Sequence, residues 1–349
     1  MFIMINQNEM KKLIIVLCGM IYICSSCSKN KDITFPNYKY TTVYFPYQSP
    51  VRTLVLGNDI FDNTLDNAHK CTIEATLGGV YQNSKDVSIS VAVDNSLCNN
   101  LNFDQTGTSA VIAMPANYYT LPKDMKISIP AGKVSGGMEV QLTDAFFADP
   151  RSITNTFVIP LRMNSVINAD SILQGTTTMA SPDPRVAANW SVVPKNYVLY
   201  AVKYINPWQG NYLRRGAEAI KDNVGDTTIL YHTAYVETDQ LCSAGTLSLT
   251  KDSILLNAKS RTNVNTPFQL VLVFDNNGKC TITGPATASY SLTGTGEFVK
   301  GGDSWGNQPR DVLHLKYAVN FGTSAHSFTD TLVMRDRGVK FETFSPVTF

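Results

Sequence analysis

Residues 86 to 94 alternate without a break: Val87, Ile89, Val91 and Val93 fall on one side, and Ser88, Ser90, Ala92 and Asp94 on the other. A side-chain period of two marks a strand with one dry and one wet face. Runs of this kind recur, and no segment sustains a helical period. In the first half they are Thr42 to Phe45, Arg52 to Leu56, Cys71 to Leu77, Lys126 to Ile129, Gly137 to Leu142 and Phe157 to Met163, closed by turn residues such as Gly78-Gly79 and Pro130-Ala131-Gly132. About seven short strands with such turn signals predict a β-sandwich. Asn95 to Ala116 reads as a long unpatterned loop.

Tyr197 to Gly216 reads as the opening of a second domain. It starts as a half-buried strand (Val198, Val202, Tyr204) and is broken at Asn206-Pro207, because proline offers no N–H and restricts the residue before it. Trp208 is placed to plug a barrel end, and Arg214 and Arg215 to form salt bridges. Strand candidates then follow in series: 210–215, 229–237, 245–249, 253–258, 268–274, 280–283, 289–293, 296–299, 312–320 and 329–334. Asp275-Asn276-Asn277-Gly278 is a hairpin turn, and Gly294-Thr295-Gly296, which lacks the rest of a phosphate-binding fingerprint, is read as a turn as well. Sequential strands on short turns predict an up-and-down antiparallel barrel, whose closure removes exposed edges; a sandwich is the alternative. Thr, Ser and Pro fill Gly175 to Pro194, which reads as a linker with Trp190 packing between the domains.

The N-terminus carries a different signal. Lys11-Lys12 precede an apolar run, Leu13 to Ile23, which is the length of a signal-peptide core and too short to cross a bilayer. It ends in Cys24-Ser25-Ser26-Cys27. Small residues before Cys27 resemble a bacterial lipoprotein box, which implies lipidation of Cys27; bulky Ile23 makes Cys24 the poorer candidate, and the box departs from its pattern where Cys24 replaces the usual Leu. Met10 is the better start. Of the remaining cysteines, Cys71, Cys98, Cys242 and Cys280 show no metal-like spacing, and buried thiols fit them better than disulfides. A net charge of +1 with 16% charged residues gives nucleic acid no basic field to bind.

Tyr118-Tyr119-Thr120-Leu121, Ile127 to Gly132 and Val140-Gln141-Leu142 together resemble an N-terminal domain of unknown function found in Bacteroidetes lipoproteins. A domain of that kind also precedes the catalytic domain of some family-eighteen endo-N-acetylglucosaminidases. Pro182 to Arg185, Trp190 and Asn196 to Gly216 are similar to the start of its companion C-terminal domain in non-catalytic relatives. The resemblance implies an all-β chain: an Ig-like sandwich followed by a lipocalin-like barrel, on a surface lipoprotein that binds glycan beside an outer-membrane importer. The expected organisation is a signal peptide at 1–27, a tether at 28–40, the sandwich at 41–174, a linker at 175–195 and the barrel at 196–349.

Chemistry has few footholds. His69, His232, His314 and His326 have no spacing that would put two on one metal, no nucleophile-elbow motif is present, and Ser324-Ala325-His326 reads as a loop pair without an orienting acid. The acid-rich string of the family-eighteen relatives is missing, so neither catalysis nor a cofactor is expected. A carboxylate pair acting as a glycosidase escapes a reading of this kind. Sugar binding asks for less: aromatic faces for C–H surfaces, with amides, carboxylates and Arg for hydroxyls. Lys300 to Asp311 offers Trp305 between glycines with Asp303, Asn307, Gln308 and Arg310 close by. Trp305 has two roles open to it, glycan contact or barrel cap. The expected function is non-catalytic glycan binding at the outer membrane through a lipid anchor. A structural subunit of an outer-membrane complex and a hydrolase are the alternatives.

Overall fold

The computed structural model describes residues 36–349; the expected signal peptide, the expected lipidation site at Cys27 and most of the expected tether lie outside the described residues. Nearly every element is a strand. In the first domain, one layer holds Ser171–Ile172, Thr42–Tyr44, Lys70–Gly78 and Ser135–Leu142. The facing layer holds Lys126–Ile129, Val87–Val93, Phe157–Ile167, Tyr197–Ile205, Pro50–Val55 and Glu342–Thr343. A single pairing, Ser128 with Gly137, joins them at the fold line. The alternation holds along most of Val87–Val93: Val87, Ile89 and Val91 are buried while Ser88 and Ser90 are half-buried, but Val93, expected on the dry face, is exposed at the strand's end. Phe45, Leu54, Ile73, Ile127, Phe146 and Phe157 fill the space between layers, each burial contributing about 1.5–3 kcal/mol. Tyr200 spans it, its hydroxyl donating to the Thr72 carbonyl at 3.0 Å.

Two expectations about domain limits change here. Tyr197–Ile205 does not open the barrel; it runs antiparallel to Phe157–Ile167 and parallel to Pro50–Val55. Its sequence is a near-continuous apolar run, and such runs belong to strands covered on both faces. Val198, Tyr200, Val202 and Tyr204 face the sandwich core, while Tyr197, Leu199 and Ala201 face a second cluster built from Leu97, Cys98, Leu101, Phe103 and Val111. The unpatterned loop is therefore a cover for the sheet. The chain end returns to the same place: Val347–Thr348 pairs with Leu101–Asn102, and Phe344 lies 4.6 Å from Phe103. Trp190, expected between domains, stays within the linker and donates to the Asp183 carbonyl at 2.8 Å.

The second domain is an eight-stranded antiparallel barrel: Gly210–Asp222, Gln240–Ser248, Lys251–Lys259, Asn265–Phe274, Lys279–Thr283, Ser291–Trp305, Gln308–Asn320 and Ser324–Asp336. Pairing of the first strand with the last closes it. Gly225–Tyr231 adds a short flap to the far half of the first strand. Gly294 and Gly296 are not a turn; they lie within the strand Ser291–Trp305. A Cβ on Gly294 would sit 2.4 Å from Tyr317 Cβ, and one on Gly296 2.6 Å from Leu315 Cδ2, so these glycines make room for large inward side chains. Ser324-Ala325-His326 likewise belongs to a strand, as the first residues of Ser324–Asp336. Cys71, Cys98, Cys242 and Cys280 are free, buried thiols, and burial pushes all four up to about 12.

The joint between the domains is polar and dense. Asn206 holds the turn after the last sandwich strand: its Oδ1 accepts from the Trp208 and Gln209 N–H groups at 3.1 and 3.0 Å. Its Nδ2 donates to Ser248 O, to Lys251 O and to the Asp252 carboxylate. Arg337, 5% exposed, donates to the carbonyls of Gln209 (2.7 Å), Asn58 (2.7 Å), Leu56 (3.0 Å) and Asn206 (2.6 Å). One guanidinium thus clasps the first domain to the barrel. No helix among the described residues is long and apolar enough to cross a membrane.

Candidate functional site

The barrel interior is packed with large apolar side chains. Phe268, Leu270, Leu272, Leu313, Leu315, Phe328 and Leu332 fill it from wall to wall. Trp208 lies flat on Phe274 at 3.9 Å and 7° against the same cluster. Among these apolar side chains Arg214 is fully buried. Its Nη2 is 3.1 Å from Asp330 Oδ2, close enough for an ion pair but not aligned for a hydrogen bond. The Tyr231 ring at 4.1 Å supplies a cation–π face, and the Tyr317 hydroxyl donates to Asp330 at 2.6 Å. Burial raises Asp330 despite the Arg214 charge beside it. Arg215 pairs with Asp239 at 2.7 Å, so both arginines make the ion pairs their position suggested.

Open volume lies outside the barrel instead. A cleft of about 930 Å³ runs between the first domain and the barrel wall. One side is the strand Pro50–Val55 and the loop after it; the other is Pro309 to Asp311, Met334 to Asp336 and the tail through Phe341. Arg337 lines it too, so the interdomain clasp is part of the cleft. Tyr47 and Phe341, 5.0 Å apart, form an aromatic pair at the rim. They are 53% and 67% exposed, and Ile60 and Phe61 are 81% and 74% exposed. Large apolar side chains so exposed at the edge of a cleft mark a binding surface.

The loop carrying Ile60 and Phe61 is held by its own polar residues. Asn63 Nδ2 donates to the Val55 and Gly57 carbonyls at 2.8 and 2.7 Å. Asn67 both accepts from Gly57 N (2.8 Å) and donates to Gly57 O (2.9 Å). Gly57 takes φ 88°, and a Cβ there would meet Pro207 Cβ at 2.7 Å, so only glycine fits. A fixed backbone presents the two side chains without an ordering cost on binding.

Charges in the cleft are largely spoken for. Arg52 is ion-paired with Asp66, which also accepts from Val55 N at 2.9 Å. Burial outweighs those donors and raises the Asp66 carboxyl. Arg335 pairs with Asp336 at 2.7 Å. Arg310 differs: its guanidinium lies 4.2 Å above the Trp305 ring, and its buried Nε has no partner.

That contact locates the residues picked out by sequence. Trp305 is half-buried at the end of the strand Ser291–Trp305, with Nε1 donating to Met334 O at 3.1 Å. Gly301 at φ 59° and Gly302 lie in a register break between Val299 and Asp303; a Cβ on Gly302 would sit 2.6 Å from Val312 Cγ1. These glycines bend the hairpin rather than admit a sugar. Gly306 and Asn307, both near φ 60°, make the two-residue hairpin turn that such angles favour. Asn307 and Gln308 are exposed at the tip, and Asp303 pairs across the ladder with Arg310. Of the five residues, only Arg310 lines the cleft; Trp305 stands behind it as its platform. Tyr47, Phe61 and Phe341 carried no local signal, since they come from loops 280 residues apart whose only mark was an aromatic in a polar stretch.

A family model for a domain of unknown function, DUF5627, matches residues 207–338, which are the barrel. A second model, an N-terminal domain, matches residues 36–170. A crystal structure of a Bacteroides ovatus protein of unknown function is 40% identical, with a TM-score of 0.83, covering 89% of this chain and 99% of its own. The chain belongs to this Bacteroides family. A multidomain Bacteroides ovatus protein including DUF1735 is 13% identical, with a TM-score of 0.43, over 87% of this chain and 100% of its own. No curated protein matches. The DUF5627 match begins at Pro207, between the end of the sandwich strand Tyr197–Ile205 and the first barrel strand.

Proposed function

We propose that the chain is a glycan-binding lipoprotein, anchored through lipid on Cys27 at the outer membrane and facing the cell surface, where it holds oligosaccharide for an associated importer. The observation that carries the reading is the cleft: a rim of exposed aromatic and apolar side chains on a pinned loop, above walls of paired carboxylates and guanidinia. Sugar rings stack their C–H faces on Tyr and Phe, and their hydroxyls bond to charged and amide groups. The role is retention, with no bond made or broken in the cleft. Arg310, spread on Trp305 and lining the cleft, offers its guanidinium to hydroxyls from the barrel side.

Affinity electrophoresis of the folded chain against neutral and acidic plant and host polysaccharides tests it. Retardation by at least one glycan, weakened in Tyr47→Ala and in Phe341→Ala, supports the reading. No retardation with any of them favours the structural-subunit alternative, and release of shorter sugars favours the hydrolase.

A further inference from the structure

The barrel end opposite Trp208 holds a cluster that the cleft does not use. Ser324 and His326 lie two apart on one strand and so share its inward face. Ser324 Oγ is 2.9 Å from His326 Nε2. His326 Nδ1 is 2.6 Å from Glu218 Oε1, on the neighbouring strand Gly210–Asp222. The orienting acid that the serine–histidine pair lacked in sequence comes from 108 residues earlier.

Glu218 is fully buried and also accepts from the Tyr231 hydroxyl and from Lys259 N at 3.1 Å. With donors on both oxygens it has only acceptors to offer His326, so Nδ1 carries the ring proton and the Nε2 lone pair faces the serine hydroxyl. An imidazole held this way takes the serine proton as the oxygen attacks. Phe321 packs edge-on to the His326 ring at 5.3 Å and Phe328 lies parallel at 6.3 Å, fixing its plane. Ser324 is half-buried while His326 and Glu218 are buried, so the nucleophile is the member a substrate reaches. Asp222, across the ladder from Ser324, ion-pairs Arg261 at 2.8 Å. Arg261 also donates to the Gly225 carbonyl, so it ties this end of the barrel together beside the serine's strand.

We infer that Ser324, His326 and Glu218 form a nucleophile, base and positioning acid that hydrolyse short-chain carboxylic esters, a site separate from the cleft. Ser324 Oγ bonds to the ester carbonyl carbon as its proton passes to His326 Nε2. The C–O bond to the alcohol then breaks, and the leaving oxygen takes that proton. Water, deprotonated in turn by His326, releases the acid and restores the serine.

The full chain incubated with diisopropyl fluorophosphate, digested and weighed by mass spectrometry, should carry the phosphoryl adduct on Ser324. Hydrolysis of p-nitrophenyl acetate should fall roughly 100-fold or more in Ser324→Ala, with an unchanged melting temperature showing that the variant is folded. Adduct loss in His326→Asn, despite an unchanged circular dichroism spectrum, would mark the histidine as the activating base. Absence of the adduct from Ser324 of the unaltered chain, or a Ser324→Ala variant that hydrolyses the ester as fast, overturns the inference.

Discussion

In the barrel, large apolar side chains occupy the interior, and Phe268, Leu270, Leu313 and Phe328 are at most 1% exposed. In the cleft, Tyr47, Ile60, Phe61 and Phe341 stay exposed, and Arg52, Arg335 and Arg337 on the walls are paired with carboxylates or backbone carbonyls. An eight-stranded barrel has just enough interior either to be filled by side chains or to hold one small ligand. This one is filled, down to glycines that exist to admit Tyr317 and Leu315. The space for a ligand was created elsewhere, by docking a second domain against the barrel wall. Function in such a fold follows from where volume is left, not from the barrel's name.

The comparison breaks first at the clasp. Arg337→Met removes five donors and strands four carbonyls at the joint, an expected loss of about 4 kcal/mol. Urea unfolding should show it, and glycan retardation should disappear with the cleft. A variant as stable as the unaltered chain would mean that the domains are held by something other than this side chain.

A nearly equal effect is expected from pH. Burial pushes Asp252 up to about 7, against the opposing pull of Asn206 and Arg337. The folded state therefore binds a proton more tightly than the unfolded one. That stability is fully present below about pH 4 and is lost as pH rises through 7, by about 4 kcal/mol in order of magnitude. Asp94 and Asp239, both lowered, act in the opposite sense, losing their contribution as pH falls below the usual carboxylate range. Asp252→Asn should flatten the decline between about pH 4 and 7 in thermal melts. An unchanged slope would remove Asp252 from the account.

Inside the barrel, Leu270→Ala should cost about 3 kcal/mol, because a filled core relaxes little around a cavity. It should leave glycan retardation untouched. On the cleft rim, Phe341→Ala should do the reverse: stability within about 0.5 kcal/mol, since the ring is largely exposed, and retardation weakened roughly tenfold. The same pattern for both variants would erase the distinction between filled interior and open cleft.

Much of this architecture was legible in the chain. Period-two runs placed the strands, and the Asp275 to Gly278 turn fell where expected because local chemistry decides it. What escaped was set by distance. Tyr197–Ile205 looked like a beginning because Pro207 ends it; only the cover supplied by residues 97–111 shows why the whole run is apolar. Gly294 and Gly296 looked like a turn because nothing local reveals the Tyr317 and Leu315 side chains they face. Tyr47 and Phe341 meet only once the tail has crossed back from the barrel, and Glu218 meets His326 only through barrel closure.

Trp305 gives the smallest effect and the finest division between the two regions. Its indole donates to the Met334 carbonyl and supports Arg310 from behind, so Trp305→Ala loses one hydrogen bond, a cation–π contact and some half-buried area. About 1–2 kcal/mol of stability should go with them. Binding should weaken less than in Phe341→Ala, because Arg310 keeps its place in the cleft and loses only its platform. Trp305→Phe separates the two contributions: the ring face remains beneath Arg310 while the bond to Met334 is gone. Retardation restored in the Phe variant, with stability still reduced, assigns the indole N–H to the barrel and the ring to the cleft. Retardation lost equally in both variants would instead put Trp305 itself against the sugar.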